Sequence, residues 1–300
     1  MSDSLYLVAG TASYQLHELI GSRYVTKLAG AGMPPVRHVT QRGPRQHGAT
    51  HLDTILEPRT FDVGIYHMAT TRAGYWTARR GFIAMLKLFD TLMLRLMLGD
   101  SGESFDISVV YQDGVALDSD ADAGTREYLA VCRLVAYDPV WQASAATSLV
   151  IGTPATWSAG ILPWVFGGAG ITFGSLSIAE NIALTYAGTW PAYPQIDIRG
   201  PITNPKVVNN TTGETLSLTT TINDGDVVRI DLDPLQKTVW NITDDTNEID
   251  TLSSASDLAT WHLAPDPEAP GGINALSFSG TGGGANTAIT LRWHDRYIGL

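Results

Sequence analysis

Hydrophobic and polar residues alternate with a period of two in several early segments, which is typical of strands with one buried face. The clearest case is Thr60–Met68. Leu5–Ala9 is predicted as an opening strand, and Tyr128–Tyr137 as a later strand that stops at Asp138 and Pro139. The first part of the chain is therefore predicted to contain a sheet.

One segment changes from the strand period to the helical period. Phe82, Met85, Leu86 and Phe89 recur at positions i, i+3, i+4 and i+7. This spacing predicts an amphipathic helix over Tyr75–Phe89, and it is the strongest helical signal in the chain.

Two further segments of the first part are predicted, one as a β-hairpin and one as an irregular arm. The apolar run 91–98 and the strand-like run 104–111 flank the turn signal Gly99–Gly102, so we predict a β-hairpin. Residues 30–51 are rich in Gly and Pro and are predicted to form a long irregular arm. Loops of that length usually form contacts or carry function.

The second half of the chain shows no helical period after residue 171. Residues 143–170 are rich in Ala, Ser, Thr and Gly and are predicted to form a connector. Short strands separated by turn clusters then predict an antiparallel β-sandwich or barrel. The predicted strands are Ile182–Tyr186, Gln195–Arg199, Lys206–Asn209, Leu216–Ile222, Val227–Leu232, Thr238–Ile242, Asn274–Ser279 and Ala288–Trp293. We therefore predict two domains, 1–142 and 171–300, joined by the connector.

Composition and charge argue against several classes of protein. Of 300 residues, 44% are hydrophobic and 16% charged, which argues against a disordered chain. Residues 1–100 carry 11 Lys and Arg against 7 Asp and Glu, whereas residues 101–300 carry 8 against 23. The acidic two-thirds argues against a nucleic-acid binder, and the lack of a long apolar run argues against a membrane span. The first residues lack the pattern of a signal peptide, so folding in a cytoplasm is the default expectation.

The chain offers little sign of catalytic or metal-binding chemistry. Cys132 is the single cysteine and is expected to be a small core residue. Gly280–Asn286 lacks the Lys-Ser/Thr pair of a phosphate-binding loop and is expected to be a turn. His47 and His51 stand four residues apart without a clear third ligand. Asp118–Gly124 resembles the start of a calcium loop but lacks the bidentate Glu, so a weak calcium site and an acidic hairpin loop both remain open. We expect no catalytic, cofactor-binding or metal-binding residues.

Two groups of residues keep alternative functions open. Acidic side chains could pair in space as a glycosidase would need, although a solvated acidic surface is the simpler interpretation; they are Asp231, Asp233, Asp244, Asp245, Glu248 and Asp250. Aromatic side chains of the β-rich half could either fill the core or stack on sugars; they are Trp190, Tyr193, Trp240 and Trp261.

Several segments, in order along the chain, resemble those of the distal tail protein family of long-tailed, non-contractile bacteriophages. The similarity lies in the arm and strand, the helix with its following hairpin, the close of the first domain, and the ordered turns of the second domain. These segments are Gly43–Thr50, Glu57–Val63, Arg79–Phe89, Val109–Gly114, Ala136–Trp141, Tyr193–Pro205, Val208–Gly213, Gly225–Asp231 and Gly284–Asn286. The late Asn of the family usually follows a Pro-Gly pair, whereas here it follows a glycine run.

The resemblance implies a mainly β (α+β) virion protein without enzymatic activity. Its first domain, a mixed sheet with one main helix, would form a hexameric tube-like ring with a channel for DNA. Its second domain would be a galectin-like antiparallel β-sandwich. The implied partners are the tail tube protein, the tail-tip hub and a tail fibre or receptor-binding protein, with host glycans as further candidates. The alternative is a carbohydrate-binding module of a surface-attachment protein.

Overall fold

The computed structural model describes residues 3–17, 23–86, 91–118, 127–151, 178–284 and 286–300. Its strands, in chain order, are β1 (Ser4–Ala9), β2 (Ala12–Gln15), β3 (Arg23–Ala29), β4 (Val36–Gln41), β5 (Thr50–Leu56), β6 (Arg59–Met68), β7 (Leu92–Met97), β8 (Ser104–Asp118), β9 (Glu127–Ala136), β10 (Trp141–Ala143), β11 (Thr147–Ile151), β12 (Ile178–Thr185), β13 (Gln195–Arg199), β14 (Ile202–Asn209), β15 (Glu214–Ser217), β16 (Thr221–Ile222), β17 (Val227–Asp231), β18 (Thr238–Asn241), β19 (Thr246–Asn247), β20 (Ile273–Thr281), β21 (Ala288–Trp293) and β22 (Arg296–Tyr297). The helix α1 spans Arg72–Met85. The protein is mainly β, as the sequence predicts.

The chain divides into two compact units by its internal contacts. Unit 1 comprises Met1–Ala145 together with Arg296–Leu300, and unit 2 comprises Ala146–Asp295. The chain thus returns to unit 1 for its last five residues. The predicted domain limits of 1–142 and 171–300, with a connector over 143–170, stay a prediction.

Unit 1 is built on one large antiparallel sheet. The strand order is β2-β1-β7-β8-β9-β6-β3, and β10 pairs with both β8 and β22. Apolar side chains from alternate positions of these strands form the core, as in Phe61, Val63 and Ile65 of β6. The predicted hairpin is confirmed, because β7 pairs with β8 in the register Leu92↔Val109.

The helix α1 packs its apolar stripe on the core of unit 1. It begins three residues before the predicted start, because Thr71 caps it: the Thr71 hydroxyl accepts a hydrogen bond from Gly74 N at 3.0 Å. Tyr75 and Phe82 are its buried residues. The helix ends at Met85, earlier than the predicted end at Phe89, which lies outside the described residues.

The predicted irregular arm is an ordered β-hairpin over much of its length. Strands β4 and β5 pair antiparallel from Val36↔Leu56 to Gln41↔Thr50, with a bulge after Val39. The prediction of an irregular arm was wrong here, because a strand with polar residues on both faces gives no hydrophobic alternation.

Unit 2 contains two antiparallel sheets around a common apolar core. One has the order β11-β21-β13-β17-β18-β19, and the other the order β12-β20-β14-β15 with β16 on β14. The core residues are typified by Ile196, Ile230, Trp261, Phe278 and Leu291. The strands predicted at Gln195–Arg199 and Ala288–Trp293 match β13 and β21 residue for residue.

The single cysteine lies in the core of unit 1. Cys132 is opposite Val63 in the pairing of β9 with β6, and burial raises the pKa of its thiol to about 12. We therefore predict that the folded protein does not react with a thiol reagent at neutral pH, and that one thiol reacts after denaturation. A chromogenic disulfide reagent measures this directly. Rapid labelling of the folded protein would contradict the prediction, and Cys132→Ala serves as the blank.

Candidate interaction surfaces

The structure places one of the two histidines considered for metal binding, His51, beside another polar side chain. Within the described ranges no group of three or more His, Cys, Asp or Glu side chains could hold a metal ion. His51 instead shares Thr54 with His38: His38 Nδ1 and His51 Nε2 lie 3.0 and 2.8 Å from Thr54 Oγ1. The acidic loop after Asp118 lies outside the described residues, so the calcium hypothesis stays untested.

Several of the acidic residues considered for glycoside cleavage support turns. Asp244 Oδ2 accepts a hydrogen bond from Asn241 Nδ2 at 3.1 Å, and Asp233 Oδ1 accepts one from Leu235 N at 2.8 Å. These contacts hold the loops that follow β17 and β18. They give these carboxylates a structural role of the kind that short polar side chains commonly have in turns.

The aromatic residues of unit 2 divide between core and surface. Trp261 is fully buried in the core of the unit. Trp190, Tyr193 and Trp240 are half-buried, so each keeps part of its ring accessible. Tyr193 also packs against this core with part of its ring. Core packing therefore accounts for Trp261 and in part for Tyr193, and the surface interpretation stays open for Trp190 and Trp240.

A cavity of about 530 Å³ in unit 1 lies against the first turns of α1. Small residues of the helix form one wall, and the Arg23 guanidinium lies 4.5 Å from the centre of the Tyr14 ring on another. The lining residues are Tyr14, Arg23, His67, Met68, Ala69, Thr70, Gly74, Thr77, Ala78 and Gly81. Among the residues that the structure describes, this lining contains no carboxylate and no cysteine.

The β4–β5 hairpin is the most exposed regular element of unit 1. Nearly every residue of both strands is open to solvent, and the exposed residues include Val36, Leu52 and Ile55, with exposed fractions of 42%, 56% and 40%. A two-stranded hairpin alone is marginally stable in water, because it buries little apolar surface. A hairpin of this kind gains stability when a second surface covers it.

The turn of this hairpin is ordered by one side chain. Gln46 Oε1 accepts a hydrogen bond from Gly43 N at 2.8 Å, and Gln46 Nε2 donates to Thr50 Oγ1 at 2.9 Å. The Gln46 carbonyl also accepts from Arg42 Nε at 3.1 Å. The turn therefore presents Arg42 and Arg45 on a defined backbone, which suits a contact with an acidic surface.

The base of the hairpin is anchored by a buried arginine. Arg59 is 1% exposed and donates hydrogen bonds to the carbonyls of Gly30 and Ala31, each at 3.2 Å, and to that of Ile298 at 2.6 Å. Burial lowers the pKa of the Arg59 guanidinium, and the negative charge of Asp138 opposes this shift. Arg59 thus ties β6 to the segment before the hairpin and to the returning end of the chain.

The carbonyl of Ala31 is a second fixed point at this base. It accepts a hydrogen bond from Trp141 Nε1 at 3.1 Å in addition to that from Arg59. Gly30 adopts φ 101°, and a Cβ there would lie 2.2 Å from the Thr60 carbonyl oxygen, so only glycine fits. The hairpin therefore extends from a rigid base.

A second exposed surface of unit 1 lies on the face of β6 and β9 opposite the core. Arg133 Nε donates to Asp62 Oδ1 at 2.9 Å, and this hydrogen bond is the main cause of the lowered pKa of the Asp62 carboxyl. Apolar side chains continue the face, with Met68 46%, Leu129 44% and Val131 41% exposed. On this face, the ion pair of Arg133 and Asp62 therefore lies next to the apolar side chains of Met68, Leu129 and Val131.

Comparison with known proteins gives two kinds of similarity. Residues 187–297 match the sequence profile of a family described as the siphovirus-type tail component, C-terminal domain. The whole chain is similar in structure to the Dit protein (gp 19.1) of phage SPP1, described as a paradigm of the hub adsorption apparatus in phages that infect Gram-positive bacteria. That similarity has a TM-score of 0.63 and 10% identity, and it covers 99% of each chain.

Two further solved structures resemble the chain over its full length. They are structures of the phage P2 baseplate in its activated conformation, one with Ca and one with Sr, each with a TM-score of 0.53, 9% identity and complete coverage of both chains. No curated protein matches the chain. Within the described residues, no helix has the length and hydropathy to cross a membrane.

Proposed function

We propose that the chain belongs to the distal tail protein family of phages with long, non-contractile tails, and that it is a structural adaptor at the distal end of a tail. The observation that carries the proposal is the similarity to the SPP1 protein over 99% of both chains, together with the family match of residues 187–297. The adaptor would act by its surfaces, without catalysing a reaction.

We propose further that unit 1 forms a hexameric, tube-like ring around a channel through which DNA passes. The exposed β4–β5 hairpin supports this, because a ring needs two different surfaces that meet head to tail. A second copy of the chain is the proposed occupant of the hairpin surface. The ring would join the tail tube protein to the tail-tip hub.

Unit 2 is proposed to be a galectin-like β-sandwich that contacts a tail fibre or receptor-binding protein. Its two antiparallel sheets around one core support this assignment. The proposed location of the protein is the virion tail tip, after synthesis in the host cytoplasm. Host glycans are candidate ligands of this unit, and carbohydrate binding alone is the alternative function.

The solution mass of the purified full chain tests the ring. Six copies of the 32.2 kDa chain give a particle of roughly 190 kDa. We expect this mass by light scattering and a six-fold ring with a central opening by electron microscopy. A chain that stays monomeric both alone and with the tail tube protein would overturn the proposal.

A further inference from the structure

The outer face of the six-stranded sheet in unit 2 carries a continuous row of side chains. Alternate residues of the same strands, such as Ile196 and Ile198 of β13, are buried in the core, so the row faces away from it. In order of cross-strand pairing the row consists of Val150, Thr290, Asp197, Arg229, Trp240 and Asn247. Three strand spacings, or about 14 Å, separate β21 from β18 along this row.

The centre of the row is a fixed arrangement of two guanidinium groups on one carboxylate. Arg229 donates through Nε and Nη2 to the two oxygens of Asp197, at 2.7 and 2.9 Å. Arg292 donates through Nη1 to Oδ2 of the same carboxylate. Burial alone would raise the pKa of Asp197, but the hydrogen bonds from Arg229 and Arg292 together lower it. The carboxylate is therefore ionised and holds both arginines in place.

The two arginines keep part of their hydrogen-bonding capacity for a ligand. Their side chains are 32% and 44% exposed, and each guanidinium has five N–H donors in a planar fork. The exposed edges of Arg229 and Arg292 thus offer preorganised donors to solvent. Preorganised donors bind a ligand at a smaller entropic cost than mobile side chains.

An aromatic side chain lies directly beside these donors. Trp240 is the cross-strand partner of Arg229, and its Nε1 donates to Asp245 Oδ1 at 3.1 Å, which fixes the indole ring. The ring is half-buried, so part of it is accessible to a ligand. An indole ring offers an apolar surface for stacking, next to polar groups that can fix the orientation of a ligand.

The charges around the row disfavour an anionic ligand. Two positive groups, Arg229 and Arg292, stand beside the carboxylates of Asp197, Asp231 and Asp245. Unit 2 as a whole has 5 Lys and Arg against 15 Asp and Glu. Fixed donors, acceptors and an aromatic ring without net positive charge suit the hydroxyls and C–H face of an uncharged sugar.

We propose that this face of unit 2 binds a neutral saccharide, with a sugar ring stacked on Trp240 and its hydroxyl groups bound to the exposed edges of Arg229 and Arg292. The site lies within unit 2 and does not depend on ring formation. It gives the proposed adaptor a ligand of its own at the tail tip. If the ring does not assemble, the proposed sugar site is therefore unaffected. If no sugar binds, the proposed adaptor function is unaffected.

Ligand-observed NMR on the full chain tests the proposal. The probes are methyl glucoside, methyl galactoside and N-acetylglucosamine at millimolar concentration, with glucuronic acid as the anionic comparison. We expect saturation transfer from the protein to at least one neutral sugar. Trp240→Ala and Arg292→Gln should each weaken that binding by about tenfold, since each removes one of the two recognition elements.

The matched control is Trp76→Ala, which removes a tryptophan 42% exposed on α1 in unit 1 and should leave sugar binding unchanged. Thermal unfolding of each variant verifies that unit 2 is folded. If Trp240→Ala does not fold, Arg292→Gln alone is used for the binding test. Three results would overturn the inference: no transfer to any neutral sugar, unchanged binding in a folded variant of the face, or preference for the anionic sugar.

Discussion

Replacement of Arg37–Ile55 by an Asn-Gly turn is expected to abolish assembly of the proposed ring while both units stay folded. The shortened hairpin keeps the pair Val36↔Leu56 and the hydrogen bond from Glu57 N to the Pro35 carbonyl at 2.9 Å, so its base closes normally. The removed residues bury little surface, and the free energy of unfolding should change by less than about 1 kcal/mol. Light scattering measures assembly, and circular dichroism during heating measures the fold.

A pair of point variants separates the hairpin from a general effect of surface charge. Leu52→Asp places a carboxylate on the hairpin, and Leu235→Asp places one on a turn of unit 2, where Leu235 is 90% exposed. We expect Leu52→Asp alone to shift the population from ring to monomer. A ring that survives the shortened hairpin would show that the hairpin makes no essential contact. Loss of assembly in both point variants would point to charge rather than to the hairpin surface.

The hairpin also shows where the sequence was a poor guide to structure. Its Gly and Pro residues indicated a loop. The two strands are polar on both faces, so apolar and polar residues do not alternate along them. The pairing of Val36 with Leu56 could therefore not be predicted from the neighbouring residues in the sequence. Excision of the whole predicted arm, 30–51, would damage the core of unit 1 as well as the hairpin. It would remove the Gly30 and Ala31 carbonyls that hold Arg59 and Trp141.

Local signals were sufficient where one face of an element is buried. The limits of β13 and β21 were predicted to the residue, because apolar residues alternate cleanly between turn clusters. The helix start was missed by three residues, although a Thr at position 71 is a readable capping signal.

Arrangements of residues distant in sequence could not be predicted in the same way. Asp197, Arg229 and Arg292 lie on three strands, and only the registers of β13 with β17 and β21 bring them together. The sequence offers one signal for this arrangement, which is the charged Asp197 between two isoleucines at the centre of β13. The return of Arg296–Leu300 to unit 1 likewise depends on pairing with β10, which no local pattern specifies.

Arg59→Met is expected to destabilise unit 1 by about 3 kcal/mol, because three part-buried hydrogen bonds to backbone carbonyls lose their charged donor. The side chain joins three segments through Gly30, Ala31 and Ile298, so its loss also releases the end of the chain from the base of the hairpin. Urea unfolding measures the free energy. Hydrogen exchange should show faster exchange of the backbone amides in 29–35 and 296–300 than in the parent protein.

Arg80→Ala is the matched control, since Arg80 is exposed on α1 of the same unit and its loss should change stability by less than about 0.5 kcal/mol. Arg59→Lys separates charge from geometry: an ammonium keeps the charge but cannot reproduce the planar fork that reaches all three carbonyls, so most of the loss should remain. Full stability in Arg59→Lys would show that charge alone holds this base together. Unchanged exchange at 296–300 in Arg59→Met would show that the end of the chain is held by other contacts, such as the ion pair between Arg296 and Asp138 at 2.5 Å.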